Sequence, residues 1–294
     1  MALWWQDRSG AFAPVRAAAL ALSVAPALWI GAQAVLGWLG PRPITEAIHQ
    51  CGDWSIRLLL ATLAVSPLRR IIHWPRLIGA RQVFGLAALA YAALHVGLYV
   101  ADLKFDLGKV LSEIVQRVYL GIGSIAFVGL LILGRSSGVA AVRRLGAAEW
   151  TRLHALVHPI AALALLHFFI QKKLDVTEPL LLTGFAVWLW GYRRLQRRDS
   201  TEAPALVGLA VAASIATLAV QLAWYGLATR VTTSAILSGL LDFEYEINVI
   251  WYVLGITLAV ALARWLIARS DRVHDRRTPE TGRRAVQAPG VQGV

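Results

Sequence analysis

Four stretches of the chain carry no charged side chain and are about long enough to cross a lipid bilayer. They cover 17–39, 82–101, 118–134 and 204–229. About 20 consecutive apolar residues, wound as a helix, span the hydrocarbon core of a membrane. The composition agrees, because 16% of the residues are charged, whereas soluble domains carry about 25%. The chain is therefore predicted to be an all-α polytopic membrane protein.

The complete hydrophobicity pattern predicts eight transmembrane helices. Their predicted ranges are 17–39, 54–72, 82–101, 118–134, 151–170, 178–193, 204–228 and 247–268. A polar break at 193–202 precedes the last two helices, which divides the chain into a six-helix core over 1–200 and an additional hairpin over 201–268. The remainder, 269–294, is rich in Arg, Pro and Gly and is predicted to be a basic, disordered tail.

The net charge of +12 is explained by topology and does not indicate nucleic-acid binding. Basic residues are concentrated in the connections at 69–81, 135–152 and 193–198, whereas 102–117, 172–178 and the late loop near 242–246 are mixed or acidic. Basic loops favour the cytoplasmic side of a membrane. The alternation predicts a multi-pass membrane protein with both termini in the cytoplasm. The first apolar run is longer than a typical signal-peptide core, so a cleaved signal peptide is not expected.

Four of the seven histidines fall inside predicted spans, which is costly unless each faces a cavity, partner or cofactor. His49, His73 and His274 are predicted to lie in loops or in the tail, where a solvated histidine needs no explanation. The other four are His95 in the third helix and His154, His158 and His167 in the fifth. Three histidines in one apolar helix favour a ligand.

Depth along the helix separates these histidines into two levels. His95 is about 13 residues into its helix and His167 about 16 into a helix that runs in the same direction, so at 1.5 Å per residue they lie within about 5 Å of one level. Two imidazoles at one depth can bind a haem iron from opposite faces, as in electron-transfer cytochromes. His95 and His167 are therefore predicted to ligate a haem in the outer half of the membrane.

His154 lies about 20 Å below His167 along the same helix. It cannot share the outer haem, but it could ligate a second haem near the cytoplasmic face. His158 is one helical turn from His154 and is a further candidate ligand. Pro159 is expected to kink this helix, because proline removes a backbone hydrogen bond.

Other readings of the histidines stay open at this point. An intramembrane histidine often only bonds a neighbouring helix, a non-haem metal would need more ligands at one level, and a transporter could use histidines for substrate or protons. The single cysteine, Cys51, cannot build a C-x-x-C-H haem attachment. The stretch Gly121 to Ala126 has the form of a dinucleotide fingerprint, but it lies inside a span, where small residues allow close helix packing.

Three arginines at the ends of spans are candidate partners for haem propionates. Arg57 lies on the outer side, and Arg81 and Arg152 stand at the inner starts of the third and fifth helices. Charge-assisted hydrogen bonds would join each guanidinium to a carboxylate. Snorkelling to the membrane surface or topology signalling would explain them equally well.

Six short motifs follow one another in order within residues 24–198. They are Gly52-Asp53-Trp54-Ser55-Ile56-Arg57, Ser66-Pro67-Leu68-Arg69-Arg70, Arg81-Gln82-Val83-Phe84-Gly85-Leu86, Tyr91-Ala92-Ala93-Leu94-His95, Arg143-Arg144-Leu145-Gly146 and Trp150-Thr151-Arg152-Leu153-His154, followed by His167. This series resembles the MsrQ (formerly YedZ) family, the haem-binding membrane subunits of a bacterial periplasmic protein-methionine-sulfoxide reductase in the ferric-reductase-like transmembrane superfamily.

The resemblance implies a six-helix b-type cytochrome with one or two haems, and it carries the family's functional histidines onto His95, His154 and His167. It implies electrons from a cytoplasmic NAD(P)H flavin reductase or from quinol, with FMN or quinone as further candidate cofactors. The implied acceptor is a periplasmic molybdopterin subunit that reduces oxidised methionines, so this chain would have no substrate-reducing site of its own. A ferric or quinone reductase with another acceptor is the alternative.

The chain departs from the family pattern at two positions, and the resemblance is silent on 201–294. Position 158, usually aromatic in the family, is His158, which allows a fourth ligand or an exchange of ligands. The family's Arg-Pro before the fourth helix reads Arg117-Val118. Because the third helix supplies only His95, the second ligand of an inner haem is not identified.

Overall fold

Eight long helical segments form the body of the protein in the computed structural model. The structure describes residues 5–6, 10–173, 175–229, 231–244 and 246–277, with side chains described up to residue 270, and these residues form no strand. The long segments are α1 (Pro14–Val35), α2 (Pro43–Ile71), α3 (Ile78–Asp102), α5 (Val118–Arg135), α7 (Ala147–Ala155) continued by α8 (Val157–Lys172), α9 (Thr177–Arg197), α10 (Ala203–Ala228) and α12 (Val249–Arg277). Shorter helices are α4 (Leu107–Gln116), α6 (Val139–Leu145) and α11 (Thr233–Ser238). The predicted all-α polytopic architecture is confirmed.

Six of the eight long segments in the described residues are apolar and long enough to cross a membrane by composition alone. The two exceptions, α2 and α9, have a physical reason for being more polar. Helix α2 packs against α1, α3, α8 and α9, and α9 packs against α2, α8, α10 and α12. Helices in the interior of a bundle meet neighbouring helices more than lipid, so they tolerate polar side chains.

Helix α2 begins at Pro43, well before the predicted start at residue 54. Proline at the first turn of a helix is favourable, because its fixed backbone angle suits the helix and its missing N–H is not needed there. The early start places His49 inside α2, so the prediction of a solvated loop histidine at this position was wrong.

The predicted kink in the histidine-rich span is present as a one-residue interruption. Helix α7 ends at Ala155 and α8 begins at Val157. Pro159 has no N–H to donate to the carbonyl of Ala155, four residues earlier, so the regular helical ladder cannot continue through this point. His154 and His167 consequently belong to two helical pieces, one on each side of Leu156.

The two ends of the bundle differ in charge. We call the end with the connections 72–77, 136–146 and 198–202 the basic end, and the end with 36–42, 103–117, 173–176 and 229–248 the mixed-charge end. Helix α4 lies at the mixed-charge end, where Asp106 caps it by accepting a hydrogen bond from the Lys109 N–H at 2.9 Å.

Helices α10 and α12 form the additional hairpin predicted from the sequence. They pack against each other and against α9, and α12 also contacts α2. A side chain at Gly184 of α9 would collide with Val253 and Thr217, because its Cβ would lie 2.5–2.6 Å from their atoms. The hairpin is thus closely packed on α9. Helix α12 extends past the predicted end at 268 to Arg277, and the rest of the predicted tail, 278–294, lies outside the described residues. The division at residue 200 stays a prediction.

Candidate haem-binding sites

His95 and His167 are each held by a backbone carbonyl of a neighbouring helix. His95 Nδ1 lies 2.7 Å from the carbonyl oxygen of Ile48 in α2. His167 Nδ1 lies 2.7 Å from the carbonyl oxygen of Tyr119 in α5. A carbonyl oxygen can only accept a hydrogen bond, so each Nδ1 must carry the proton and donate it. Each neutral imidazole therefore keeps the unprotonated lone pair of Nε2, which is the form that binds a metal.

Each of these rings also lies close to a glycine of the helix that supplies the carbonyl. A Cβ at Gly52 would lie 3.0 Å from His95 Nδ1, and a Cβ at Gly123 would lie 2.8 Å from His167 Nδ1. Only glycine leaves room for an imidazole this close to a helix backbone. The two histidines thus share one arrangement, in which a carbonyl and a glycine four residues later fix the ring, once on α2 and once on α5.

The two rings are separated by the space of one metal ion. Their centroids are 6.3 Å apart and their planes are inclined at 85°. Two imidazoles that bind one metal ion from opposite sides at about 2.0–2.1 Å would place their centroids about 6.2–6.4 Å apart. The described residues contain no group of three or more His, Cys, Asp or Glu side chains that could hold a metal. Two histidines suffice when a porphyrin supplies the remaining four ligands, so the pair fits a bis-histidine haem.

Paired charges and polar contacts surround this pair at the mixed-charge end. Arg57 binds Glu178 at 2.6 Å and stacks on Trp54, with its guanidinium 4.9 Å from the ring centroid. Lys172 binds Asp53 at 3.3 Å. Because Glu178 already pairs with Arg57, a haem propionate would have to displace Glu178 to bind this arginine. The role of Arg57 as a propionate partner stays a prediction.

His49 contributes a further polar contact at the same end. Its Nε2 lies 3.1 Å from the Gln171 amide nitrogen, four residues after His167. This contact joins α2 to the end of α8, close in sequence to His167. It involves a histidine that was expected to lie in solvent.

His154 lies toward the basic end, in contact with the loop that follows α5. Its ring stacks on Trp150 at 4.1 Å, and its Nε2 lies 3.1 Å from Ser136 Oγ. The Ser136 hydroxyl has one proton, and backbone carbonyls of α5 lie 3.0 and 3.1 Å away to receive it. Its oxygen is then an acceptor for a proton on His154 Nε2. The nitrogen left with a free lone pair is Nδ1, so His154 is not prepared for a metal in the way that His95 and His167 are.

His158 has a hydrogen-bond partner of a different kind. The indole N–H of Trp190 in α9 donates to His158 Nδ1 at 3.1 Å. An indole N–H can only donate, so Nδ1 must be unprotonated and the neutral ring carries its proton on Nε2. One nitrogen is occupied by Trp190 and the other bears a proton. In this state His158 offers no lone pair to iron, and its Nε2–H is a hydrogen-bond donor.

The two remaining candidate arginines occupy different surroundings. Arg152 binds Glu149 at 2.6 Å on the surface, where 77% of its side chain is exposed. Arg81 is half-buried, and it lies close enough to His154 and His158 to act on both electrostatically. Arg81 thus belongs to the surroundings of the inner histidines, whereas Arg152 faces away from them.

The sequence analysis missed the backbone groups and two side chains of these sites. It did not identify Gly52 and Gly123 as supports for the histidine rings, although it noted that Gly123 allows close packing. It also missed the carbonyl acceptors and the side chains of Trp190 and Ser136. An isolated glycine at the depth of a candidate ligand is the one signal that could have drawn attention to the supports.

Comparison with known proteins gives consistent results over most of the chain. A family profile described as ferric reductase like transmembrane component matches residues 51–166. The chain is 37% identical over 203 residues to the protein-methionine-sulfoxide reductase heme-binding subunit MsrQ of Rhodospirillum rubrum, which covers 68% of this chain and 95% of the relative.

Two further relatives carry the same name. The chain is 37% identical over 183 residues to the one from Caulobacter vibrioides, covering 61% of this chain and 87% of that protein. It is 39% identical over 184 residues to the one from Xanthomonas campestris pv. campestris, covering 57% and 84%. No solved structure matches the chain significantly.

Proposed function

The chain belongs to the MsrQ family of haem-binding subunits, and from this we propose that it is a b-type cytochrome that carries electrons across the bacterial inner membrane. The proposed acceptor is a periplasmic molybdopterin methionine-sulfoxide reductase that repairs oxidised periplasmic proteins. The reduction of methionine sulfoxide would take place on that partner. This chain would contribute only the path across the membrane.

The single observation that carries the proposal is the arrangement of His95 and His167. Their 6.3 Å centroid separation matches the space for one iron, and both Nδ1 protons are donated to backbone carbonyls. A bound haem b would supply reversible one-electron chemistry. The protein would supply two oriented neutral imidazoles whose Nε2 lone pairs are already free. With both axial positions filled, electron transfer is favoured over binding of a small substrate at iron.

The charge distribution supports an orientation for this path. Basic connections favour the cytoplasm, so the basic end is proposed to face inward and the mixed-charge end outward. The His95 and His167 pair then lies near the periplasmic face, where an electron could leave for a soluble partner. His154 and His158 lie near the cytoplasmic face, where a flavin reductase or quinol would deliver electrons.

Haem content measured in purified histidine variants tests the proposal. Wild-type protein is expected to show a reduced b-type absorption spectrum, and both His95→Ala and His167→Ala should lose the outer haem. His73→Ala is the matched control, because this histidine lies in the connection at the basic end. If both ligand variants kept the wild-type haem-to-protein ratio and spectrum, the assignment would fail.

The match to a ferric-reductase-like profile also supports an alternative acceptor. A transmembrane ferric or quinone reductase would use the same haem and the same histidines. The two can be separated by reducing the purified protein and measuring its reoxidation by a molybdopterin reductase, by ferric citrate and by a soluble quinone. Reoxidation by ferric citrate alone would reject the methionine-sulfoxide reductase partner.

A further inference from the structure

Several buried guanidinium nitrogens at the basic end have no partner among the described residues. They are Nε and Nη2 of Arg193 in α9, Nε of Arg69 in α2 and Nε of Arg16 at the start of α1. A buried charged donor without an acceptor is strongly unfavourable. Native proteins therefore rarely leave such groups unpaired, and an orphaned buried donor indicates an acceptor that binds there.

Four arginines stand at this end of the bundle. Arg69 lies in the last turn of α2 and Arg81 in the first turn of α3, two helices that pack along each other. Arg193 and Arg197 lie one turn apart at the end of α9, which packs on α2. The ion pairs found in the described part of the chain engage other basic residues. Four positive charges from three helices thus repel one another, and none of the ion pairs of the described residues offsets them. A bound anion would remove both the repulsion and the unpaired donors.

His158 adds a neutral donor to the same place. The hydrogen bond from Trp190 holds its ring against α9, and Arg193 lies three residues after Trp190 on the same face of that helix. Because Trp190 occupies Nδ1, the Nε2 atom carries the proton and can donate a hydrogen bond. An oxyanion can accept hydrogen bonds both from this Nε2–H and from the neighbouring guanidinium groups.

We propose that Arg69, Arg81, Arg193 and His158 form a binding site for an anionic group, a phosphate or a carboxylate, at the basic end between α2, α3, α8 and α9. The site makes His158 a ligand of this anion and not of iron. It does not depend on the outer haem, since His95 and His167 lie at the opposite end of the bundle. Three molecules could supply this phosphate or carboxylate: a flavin phosphate, a haem propionate and the phosphate of an inner-leaflet lipid.

The test compares flavin mononucleotide with riboflavin, which differs only in lacking the phosphate. Binding of both to the detergent-purified full chain is measured by quenching of flavin fluorescence. We expect flavin mononucleotide to bind at least ten-fold more tightly than riboflavin. Arg193→Gln should remove this preference, since a charge-assisted hydrogen bond contributes about ten-fold or more to affinity. Arg194→Gln is the matched control, because Arg194 is the adjacent arginine of α9 and is exposed.

His158→Phe tests the neutral donor separately. It keeps the ring volume but loses the Nε2–H, so the affinity for flavin mononucleotide should fall by about three- to ten-fold. An unchanged affinity would remove His158 from the proposed site. The absorbance of the outer haem, read in the same samples, shows that each variant is folded.

Two further measurements on the same samples distinguish the other sources. If the anion is a propionate, Arg193→Gln lowers the haem-to-protein ratio while the spectrum of the His95 and His167 haem persists. If it is a lipid phosphate, native mass spectrometry shows loss of co-purified phosphatidylglycerol from Arg193→Gln. The proposal is overturned if Arg193→Gln and Arg194→Gln agree in flavin affinity, in haem content and in bound phosphatidylglycerol.

Discussion

Replacing Gly123 by alanine should weaken haem binding while leaving the helix intact. The added Cβ would lie 2.8 Å from His167 Nδ1 and 2.9 Å from Cε1, whereas comfortable contacts between such atoms are about 3.5–4.0 Å. The ring must therefore move by about 0.6–1 Å to restore normal contacts. A shift of this size stretches or breaks the 2.7 Å hydrogen bond to the Tyr119 carbonyl and displaces one of the two axial nitrogens.

The magnitude follows from these two losses. Overpacking a tight contact costs about 1–3 kcal/mol, and a lost hydrogen bond costs about 0.5–1.5 kcal/mol. Together they weaken haem affinity by about 1.5–4.5 kcal/mol, or about 10- to 2,000-fold. The substitution also favours the helix itself by about 1 kcal/mol, since alanine is a better helix former than glycine. In the haem-free protein no iron holds the ring, so it can turn away from the added Cβ, and the lost hydrogen bond and the gain from alanine nearly cancel. The variant should thus lose haem while its haem-free form keeps nearly the wild-type Tm.

Haem titration of the haem-free protein, followed by the Soret absorbance, measures this effect. Gly97→Ala is the control, because nothing lies within 4 Å of a Cβ at that position. Gly52→Ala should have an intermediate effect, since its Cβ would lie 3.0 Å from His95 Nδ1. Equal haem affinity in the Gly123 and Gly97 variants would refute the view that the glycine positions the ligand ring.

Three other substitutions give expected outcomes that can be checked directly. His158→Phe should leave the axial ligation of the bound haem unchanged in its electron paramagnetic resonance spectrum, because neither nitrogen of His158 is free for iron, and a change of ligation would contradict the tautomer of His158. Gly184→Ala should destabilise the packing of the hairpin on α9 by about 1–3 kcal/mol, seen as a lower Tm with the outer haem retained. Glu178→Gln removes the partner of Arg57, and because this ion pair is partly exposed the free energy of unfolding should change by no more than about 1 kcal/mol.

The positions of the outer ligands could be predicted because they depend on regular geometry. A fixed rise of 1.5 Å per residue places His95 and His167 at one level whatever their side-chain contacts. The same arithmetic separates His154 from His167. The interruption near Ala155 was predictable as well, since it follows from the covalent structure of Pro159 alone.

The partners of the arginines show where local sequence stops being informative. Arg152 binds Glu149, three residues away on the same helix, and such a pair can be read from spacing. Arg57 binds Glu178, which is 121 residues away, and nothing near Arg57 in the sequence indicates this acid. Tertiary packing alone brings the two side chains together. Before the fold was known, the sequence therefore offered no protein carboxylate as an alternative to a haem propionate for Arg57.

The chemical difference between the four histidines lies in hydrogen bonds that sequence does not display. His95 and His167 meet carbonyl oxygens at Nδ1, and these can be supplied by any residue of a facing helix, so no side chain marks them in advance. His158 meets an indole N–H at the same atom, which reverses its tautomer. Depth within the membrane therefore determines which histidines can share a cofactor, but the partner at Nδ1 determines whether each can bind metal. By that criterion the outer pair is prepared for iron, and the Nε2–H of His158 is prepared to donate a hydrogen bond to an oxygen.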